Sequence, residues 1–276
     1  MDHEIAIIGT GIAGLAAATA VIMAKRDCVL IGPPTPEMEG GVQLAPNGWV
    51  ALSALGLERH VLPHETRLSE ITVRSLNNNA TLARLPLRGI YASIKRADLA
   101  NVFAERIAYA DRFQRHDTII VEADQSDGCV NIIGEDASLR QVKGLIAADG
   151  VSGFGRSHVT SQSGADMRAS LATDKLALRL MLHLSDLPGF FSQPASNLWL
   201  GNGIHVVHYP IGNQVNFVVT MPKALAQTQW QTQCFKRKSP IHMLADPALN
   251  WVATPLHRSG NSICWRRDNV VLAGEA

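Results

Sequence analysis

The residues best suited to chemistry fall into two groups far apart in the chain. Gly9-Thr10-Gly11-Ile12-Ala13-Gly14 has the spacing G-x-G-x-x-G, in which unpaired N–H groups at a helix start face a pyrophosphate and the helix dipole favours its charge. The second group is Trp199-Leu200-Gly201 followed by Gly203-Ile204-His205-Val206-Val207-His208-Tyr209-Pro210. Read as a strand, its alternation puts His205, Val207 and Tyr209 on one face and Ile204, Val206 and His208 on the other. His205 and Tyr209 then stand about 13 Å apart along the strand, which brackets a bound ring and excludes contact between them along it. A histidine titrating near neutrality can draw a phenolic proton, and a tyrosine hydroxyl can orient the ring that carries it. The same pair also reads as half-buried strand residues with satisfied polar tips, and His208 reads as structural.

The glycine motif gains meaning from its flanks. An apolar strand at Ile5 to Ile8 precedes it, a helix runs on to about Lys25, and a second apolar strand follows at Cys28 to Ile31. This is a βαβ unit with an expected right-handed crossover. Its first glycine permits the tight turn, the second admits the pyrophosphate, and the third lets helix and strand pack closely. The acid that usually ends the second strand and holds a ribose hydroxyl is missing. Gly32 stands there, and the nearest carboxylates are Glu37 and Glu39, beyond Pro33, Pro34 and Pro36. The ribose is therefore held less tightly, or by backbone groups.

Other elements must position these groups. Pro46 to Leu55 reads as a helix, with proline in its first turn and Gly56 just past its end. Residues 68–92 read as a hairpin around Asn77-Asn78-Asn79. A helix is expected from Asp98, as its cap, to about Tyr109, because Leu99, Val102, Phe103 and Ile107 recur at helical spacing. Strands return between Thr118 and Ala148, with turns at Gln125 to Gly128 and Gly134 to Ala137, and end in Ala148-Asp149-Gly150. From about Ser161 to Arg266 the chain reads as a mainly antiparallel lobe, with strands at Leu176 to Leu184, His205 to Tyr209 and Val215 to Thr220. Asn269 to Ala273 is a last apolar strand before Gly274-Glu275-Ala276. The fold class is α/β: a Rossmann-like nucleotide-binding domain plus a mainly antiparallel β-sheet domain.

Composition narrows the function. Lys and Arg number 25 against 24 Asp and Glu, a formal charge of +1, so there is no basic field for nucleic acid. The apolar run Ile12 to Ala24 is too short for stable membrane insertion and reads as a buried helix. Cys28, Cys129, Cys234 and Cys264 form no CxxC pair, which fits reduced thiols in a cytoplasmic setting. The ten histidines include no HxH or HExxH grouping, so no metal site is expected. No GxSxG elbow surrounds Ser152 or Ser157, against a hydrolase.

Five motifs in order then carry a resemblance: the glycine turn, Gly40-Gly41-Val42-Gln43-Leu44-Ala45-Pro46-Asn47, Lys95-Arg96-Ala97-Asp98-Leu99, Ala148-Asp149-Gly150 and Val270-Val271-Leu272-Ala273-Gly274-Glu275. Together they resemble the group A FAD-dependent aromatic monooxygenases of the para-hydroxybenzoate hydroxylase fold, in particular the salicylate hydroxylase and 3-hydroxybenzoate hydroxylase branch. The resemblance implies FAD as cofactor, NADH or NADPH as reductant, and oxygen transfer through a flavin hydroperoxide to a small phenolic or aromatic-acid substrate. It implies FAD contacts from Gly9, Gly11, Ile12, Ala13, Gly14, Gly41, Val42, Gln43, Arg96, Asp149, Gly150, Gly274 and Glu275, and it makes the strand that carries His205 and Tyr209, the candidate catalytic pair, resemble the one lining the aromatic pocket. A guanidinium at 96 suits phosphate and ribose oxygens because its donors form a rigid fork. Asp149-Gly150 also reads as an ordinary turn, with Arg156 close behind. Glu275 stands where the family has an aspartate, one methylene longer. The implied division is a discontinuous FAD-binding domain of residues 1–75, 93–160 and 267–276, and a substrate domain of 76–92 and 161–266. Relatives continue beyond this point, so a chain ending at Ala276 is expected to lack one wall of the pocket. The alternatives left open are an FAD-binding oxidoreductase that does not hydroxylate and an inactive dinucleotide-binding remnant. A homodimer is among the assemblies open to it.

Overall fold

Strand β1 (Ile5–Ile8) and strand β2 (Cys28–Ile31) pair in parallel, with α1 (Ile12–Met23) between them. The computed structural model describes residues 4–35, 38–160, 171–201, 203–228, 230–231, 235, 239–258 and 264–275. Pro36, Glu37, Ser161, Cys234 and Ala276, named above, lie outside that set. Contacts divide the chain into two units, 1–38, 97–171 and 257–276 in the first and 39–96 and 172–256 in the second.

In the first unit β1 sits inside a six-stranded sheet of order β18-β19-β12-β1-β2-β8. Its other members are β8 (Phe113–His116), β12 (Gly144–Ala147), β18 (Arg266–Arg267) and β19 (Val270–Leu272). All pairs are parallel except β18 with β19. Such a sheet is buried on both sides, which is why β2 is wholly apolar and buried. A three-stranded antiparallel sheet of β9 (Ile120–Ser126), β10 (Cys129–Gly134) and β11 (Leu139–Val142) closes its apolar residues with those of β1, β2, β12 and β19 into one core. Asp127 and Gly128 both take positive φ in the β9-β10 turn, as a tight hairpin demands. The helix α4 (Arg96–Ile107) starts two residues before the expected cap, so Asp98 lies in the first turn, where its charge still suits the helix dipole. The short helix α5 (Phe154–Thr160) follows β12.

The second unit is built on a seven-stranded sheet of order β17-β13-β16-β15-β14-β5-β6. Its strands are β5 (Glu70–Ser75), β6 (Thr81–Pro86), β13 (Leu171–His183), β14 (Ala195–Gly201), β15 (Ile204–Ile211), β16 (Gln214–Pro222) and β17 (Val252–Arg258). The β5-β6 hairpin is the one expected around Asn77 to Asn79, and β5 joins β14 in parallel. A small sheet of β3 (Gly41–Leu44), β7 (Ala92–Lys95) and β4 (Thr66–Arg67) completes the strands. Three short helices also belong here: α2 (Pro46–Ala54), α3 (Glu58–Val61) and α6 (Lys223–Ala226).

The division between units differs from the expected one. Residues 39–75 and 93–96 group with the second unit, and 257–266 with the first. The reason is pairing and packing: β5 is a strand of the large sheet, Ser93 Oγ bonds the Pro210 carbonyl, and Gly41 N–H bonds Asn216.

Candidate functional site

In the first unit the carboxyl ends of three adjacent parallel strands each carry a motif: Gly9 after β1, Asp149-Gly150 after β12 and Gly274-Glu275 after β19. Ligands of open α/β sheets bind at such ends. The structure brings these groups together closely. A Cβ on Gly9, whose φ is +103°, would lie 2.2 Å from the Ala148 carbonyl oxygen, and one on Gly274, at φ +68°, would lie 2.6 Å from Ala13 Cβ. A Cβ on Gly14 would lie 1.8 Å from the Gly9 carbonyl oxygen, so α1 packs on the turn with no room to spare. Gly11 is different, because a Cβ there would meet nothing within 4 Å.

Gly11 is also the N-cap of α1, with no side chain bonded to the first-turn N–H groups and no acid in that turn. Gly11 and Ile12 begin the turn that Ala13 and Gly14 anchor. A helix start of this kind can seat an anion such as a phosphate. The residue that follows β2 is unusual. Gly32 ends β2 at φ +155°, and a Cβ there would lie 3.0 Å from Thr10 Cγ2, while buried Thr10 donates its hydroxyl to the Pro33 carbonyl. The missing acid is therefore a matter of local backbone shape as well as residue type. Arg115 of β8 donates to that same Pro33 carbonyl and pairs with Asp117.

Asp149 has a structural task. Its Oδ2 accepts the Gly155 N–H at 2.9 Å, capping α5, while Oδ1 is buried without a partner. Burial pushes its carboxyl pKa up, opposed by the backbone N–H groups it accepts. Arg156 donates to the Glu275 backbone carbonyl at 3.1 Å, so α5 and the Gly274-Glu275 turn are tied together.

Gly41, Val42, Gln43 and Arg96 lie in the second unit. A Cβ on Gly41 would fall 2.1 Å from Ile211 Cδ1 and 3.4 Å from the Tyr209 hydroxyl, so β3 lies close against the side chains of β15. Its N–H donates to Asn216 Oδ1 at 3.1 Å. Gln43 uses both ends of its amide within the unit, accepting from the Tyr91 hydroxyl at 2.8 Å and donating to Ser196 Oγ at 2.9 Å. Arg96 donates its backbone N–H to the Gly40 carbonyl.

Register fixes which side chains surround Tyr209. It stands opposite Asn216, which stands opposite Met181. The next row on that face is Leu198, Val207, Val218 and Arg179, and the next is Leu200, His205, Thr220 and Ala177. His205 and Tyr209 thus share a face, as alternation requires, but in unlike surroundings: His205 is exposed and Tyr209 is 5% exposed. Burial pushes the Tyr209 phenol up to about 12, helped by Tyr91 and opposed by the Arg96 and Arg179 charges. Asn216, also buried, leaves Nδ2 without a partner. Tyr91, Arg179, Ser196 and Asn216 escaped sequence reasoning because only long-range register brings them to this face.

On the opposite face His208 is 1% exposed and ringed by Phe190, Phe191, Trp199 and Phe217 at 5.0–6.3 Å between ring centres. Neither ring nitrogen has a partner, and burial holds its pKa down to about 3, with the Arg74 charge adding to the effect. Among the described residues no group of His, Cys, Asp or Glu could hold a metal. No helix among them is long and apolar enough to cross a membrane.

No family model matches the chain. It is 27% identical over 232 residues to 3-hydroxybenzoate 6-hydroxylase of Polaromonas naphthalenivorans, covering 79% of this chain and 56% of that protein. It is 30% identical over 229 residues to 3-amino-4-hydroxybenzoate 2-monooxygenase of Streptomyces cremeus, covering 78% and 56%. The chain thus spans a little more than half the length of these relatives. Among solved structures, pqsL of Pseudomonas aeruginosa, a probable FAD-dependent monooxygenase, superposes with a TM-score of 0.80 at 17% identity, over 98% of this chain and 77% of that one. Klebsiella pneumoniae HpxO complexed with FAD and uric acid superposes with a TM-score of 0.77 at 20% identity, over 97% and 72%.

Proposed function

We propose that this chain, which has the fold of the FAD-dependent monooxygenases and resembles aromatic hydroxylases in sequence, binds FAD and serves the NAD(P)H- and O2-dependent hydroxylation of a small phenolic or aromatic-acid substrate. The observation that carries the reading is the open space over Gly11 at the carboxyl ends of β1, β12 and β19, beside Asp149-Gly150 and Gly274-Glu275.

FAD, when bound, supplies the acceptance of hydride from NAD(P)H and the activation of oxygen. The chain supplies position and proton control. First-turn N–H groups of α1 hold the pyrophosphate, and Glu275 serves the cofactor's ribityl oxygens. Gly32 leaves the adenosine ribose to backbone groups. His205, exposed on its strand, draws the phenolic proton and makes the ring more nucleophilic. Tyr209 stays protonated at any physiological pH, so it acts as a hydrogen-bond partner and not as a base. Gln43 is held by Tyr91 and Ser196, which makes it a fixed wall of the second unit. The unpaired thiols of Cys28, Cys129 and Cys264 accord with a cytoplasmic setting.

The test is spectroscopic. The purified chain should give a flavin absorption spectrum when titrated with FAD. NAD(P)H consumption in the presence of phenolic acids should then yield a hydroxylated product. A chain that takes up no flavin refutes the reading, and one that oxidises NAD(P)H and releases only peroxide refutes the hydroxylation.

A further inference from the structure

The sheet of the first unit places a carboxylate beside the position that Gly32 leaves bare. β8 is the neighbour of β2 on the side away from β1, and the Gly32 N–H donates to the His116 carbonyl at 3.1 Å. Asp117 is the next residue, so its backbone starts about one strand spacing, roughly 5 Å, from Gly32. Register sets its face. Arg115 pairs with Leu30, whose Cδ1 would lie 3.5 Å from a Cβ on Gly14, so Arg115 stands on the side of the sheet that carries α1. Its Nε donates to Asp117 Oδ1 at 2.8 Å, which holds the carboxylate on that side. The other two guanidinium nitrogens reach the loop after β2, one to the Pro33 carbonyl at 3.2 Å and one to Thr35 Oγ1 at 3.4 Å. The Pro33 carbonyl also accepts from Thr10, inside the glycine turn, at 2.9 Å. A chain of hydrogen bonds thus links that turn to Asp117. Arg115 is committed at all three nitrogens, whereas Asp117 Oδ2 has no partner among the described residues and its side chain is 58% exposed.

We propose that Asp117 supplies, from the neighbouring strand, the acid that is missing after β2: its open carboxylate oxygen accepts the adenosine 2′-hydroxyl of the bound nucleotide. The proposal rests on reading the β1-α1 turn as the pyrophosphate cradle of FAD. In dinucleotide-binding sheets the adenosine ribose lies over the end of the second strand and donates to a carboxylate there. Gly32 takes the side chain away from that strand, and the backbone groups left behind offer the ribose no charged acceptor. Asp117 offers one from β8. A hydrogen bond to an ionised acceptor is about twice as strong as a neutral one. Arg115 also fixes the carboxylate before the nucleotide arrives, so little rotamer freedom is lost on binding. Arg115 is accordingly a positioning residue, and Asp117 is the group that touches the cofactor.

The experiment titrates the full chain with two probes, FAD and the FAD analogue that lacks the adenosine 2′-hydroxyl, and reads affinity from flavin fluorescence. Wild type should bind FAD about tenfold more tightly than the analogue. Asp117→Ala should bring FAD down to the analogue's affinity and leave the analogue unchanged. Asp117→Asn, which keeps an acceptor without the charge, should hold part of the preference. Because the Asp117 side chain is exposed, the melting temperatures of both variants without flavin should match wild type. Equal binding of the two probes to wild type, a full preference that survives Asp117→Ala, or an equal loss for both probes in that variant overturns the proposal and leaves the flavin reading standing. A wild-type chain that binds neither probe overturns both.

Discussion

Gly11 caps α1 and Gly14 lies in its first turn, yet alanine at each should act on a different property. At Gly14, helix propensity alone would make alanine stabilising by about 1 kcal/mol. The structure reverses that sign. The new methyl would sit 1.8 Å from the Gly9 carbonyl oxygen and 2.9 Å from its carbon, and both belong to backbone that is hydrogen-bonded to Ile31. Relieving the overlap means moving α1 off β1 and β2, for a net loss of about 2–4 kcal/mol. For a chain of this size that is a fall of roughly 3–7 °C in melting temperature. At Gly11 the methyl meets nothing within 4 Å. The stability cost is then only that of a poorer N-cap, below about 1 kcal/mol, while the methyl occupies the approach path of the pyrophosphate. FAD affinity should fall at least tenfold, about 1.4 kcal/mol or more. Thermal denaturation of the apoprotein and quenching of flavin fluorescence on titration separate the two effects. Gly14→Ala melting at or above wild type would refute the packing argument, and Gly11→Ala binding FAD like wild type would refute the cradle.

Three further outcomes follow from the buried groups. The folded-state pKa of His208 is depressed to about 3 from an ordinary 6.5, so the unfolded chain binds the extra proton first as pH falls; stability present above about pH 6.5 is lost progressively toward pH 3, and His208→Phe should flatten that part of a stability-versus-pH curve measured by denaturant titration. Asp149 has a raised carboxyl pKa, so its ionisation opposes folding as pH rises through the carboxylate range; Asp149→Asn, which keeps an oxygen for the Gly155 N–H, should be as stable as wild type or more so at neutral pH, and a clear loss of melting temperature there would contradict the capping account. Cys28 is buried and its thiol is pushed up to about 11, so at pH 8 site-resolved mass spectrometry should find it unalkylated by iodoacetamide after Cys129 and Cys264 have reacted.

The βαβ segment was legible because its signal is local. Strand, glycine turn, helix and strand lie within the first thirty-one residues, and each glycine has a nearby backbone reason: Gly9 its positive φ, Gly14 the Gly9 carbonyl. Two features misled at the edges. Asp98 looked like a cap because its side chain suits one, but Arg96 already takes helical geometry. The resemblance assigns the stretch 39–75 to the first domain, whereas β5 pairs with β14 more than a hundred residues later. Alternation put His205 and Tyr209 on one face but said nothing of depth, and β3 lies close against the side chains of β15 at Tyr209. Arg179 could be placed on a strand, but finding it one row from Tyr209 needs the β13-β16-β15 register.

That interleaving of segments also governs how the chain must fold. The backbone passes between the two units after Met38, Arg96, Leu171 and Leu256, so neither can be cut out as one uninterrupted piece. Val270 pairs with Leu145 across about half of the polypeptide. During synthesis the βαβ segment leaves the ribosome early, yet its sheet waits for β19 until nearly all of these residues have emerged. Closure over so long a loop is slow. The waiting sheet has an open hydrogen-bonding edge along β12, which makes it a natural target for chaperones and for misassociation during that interval.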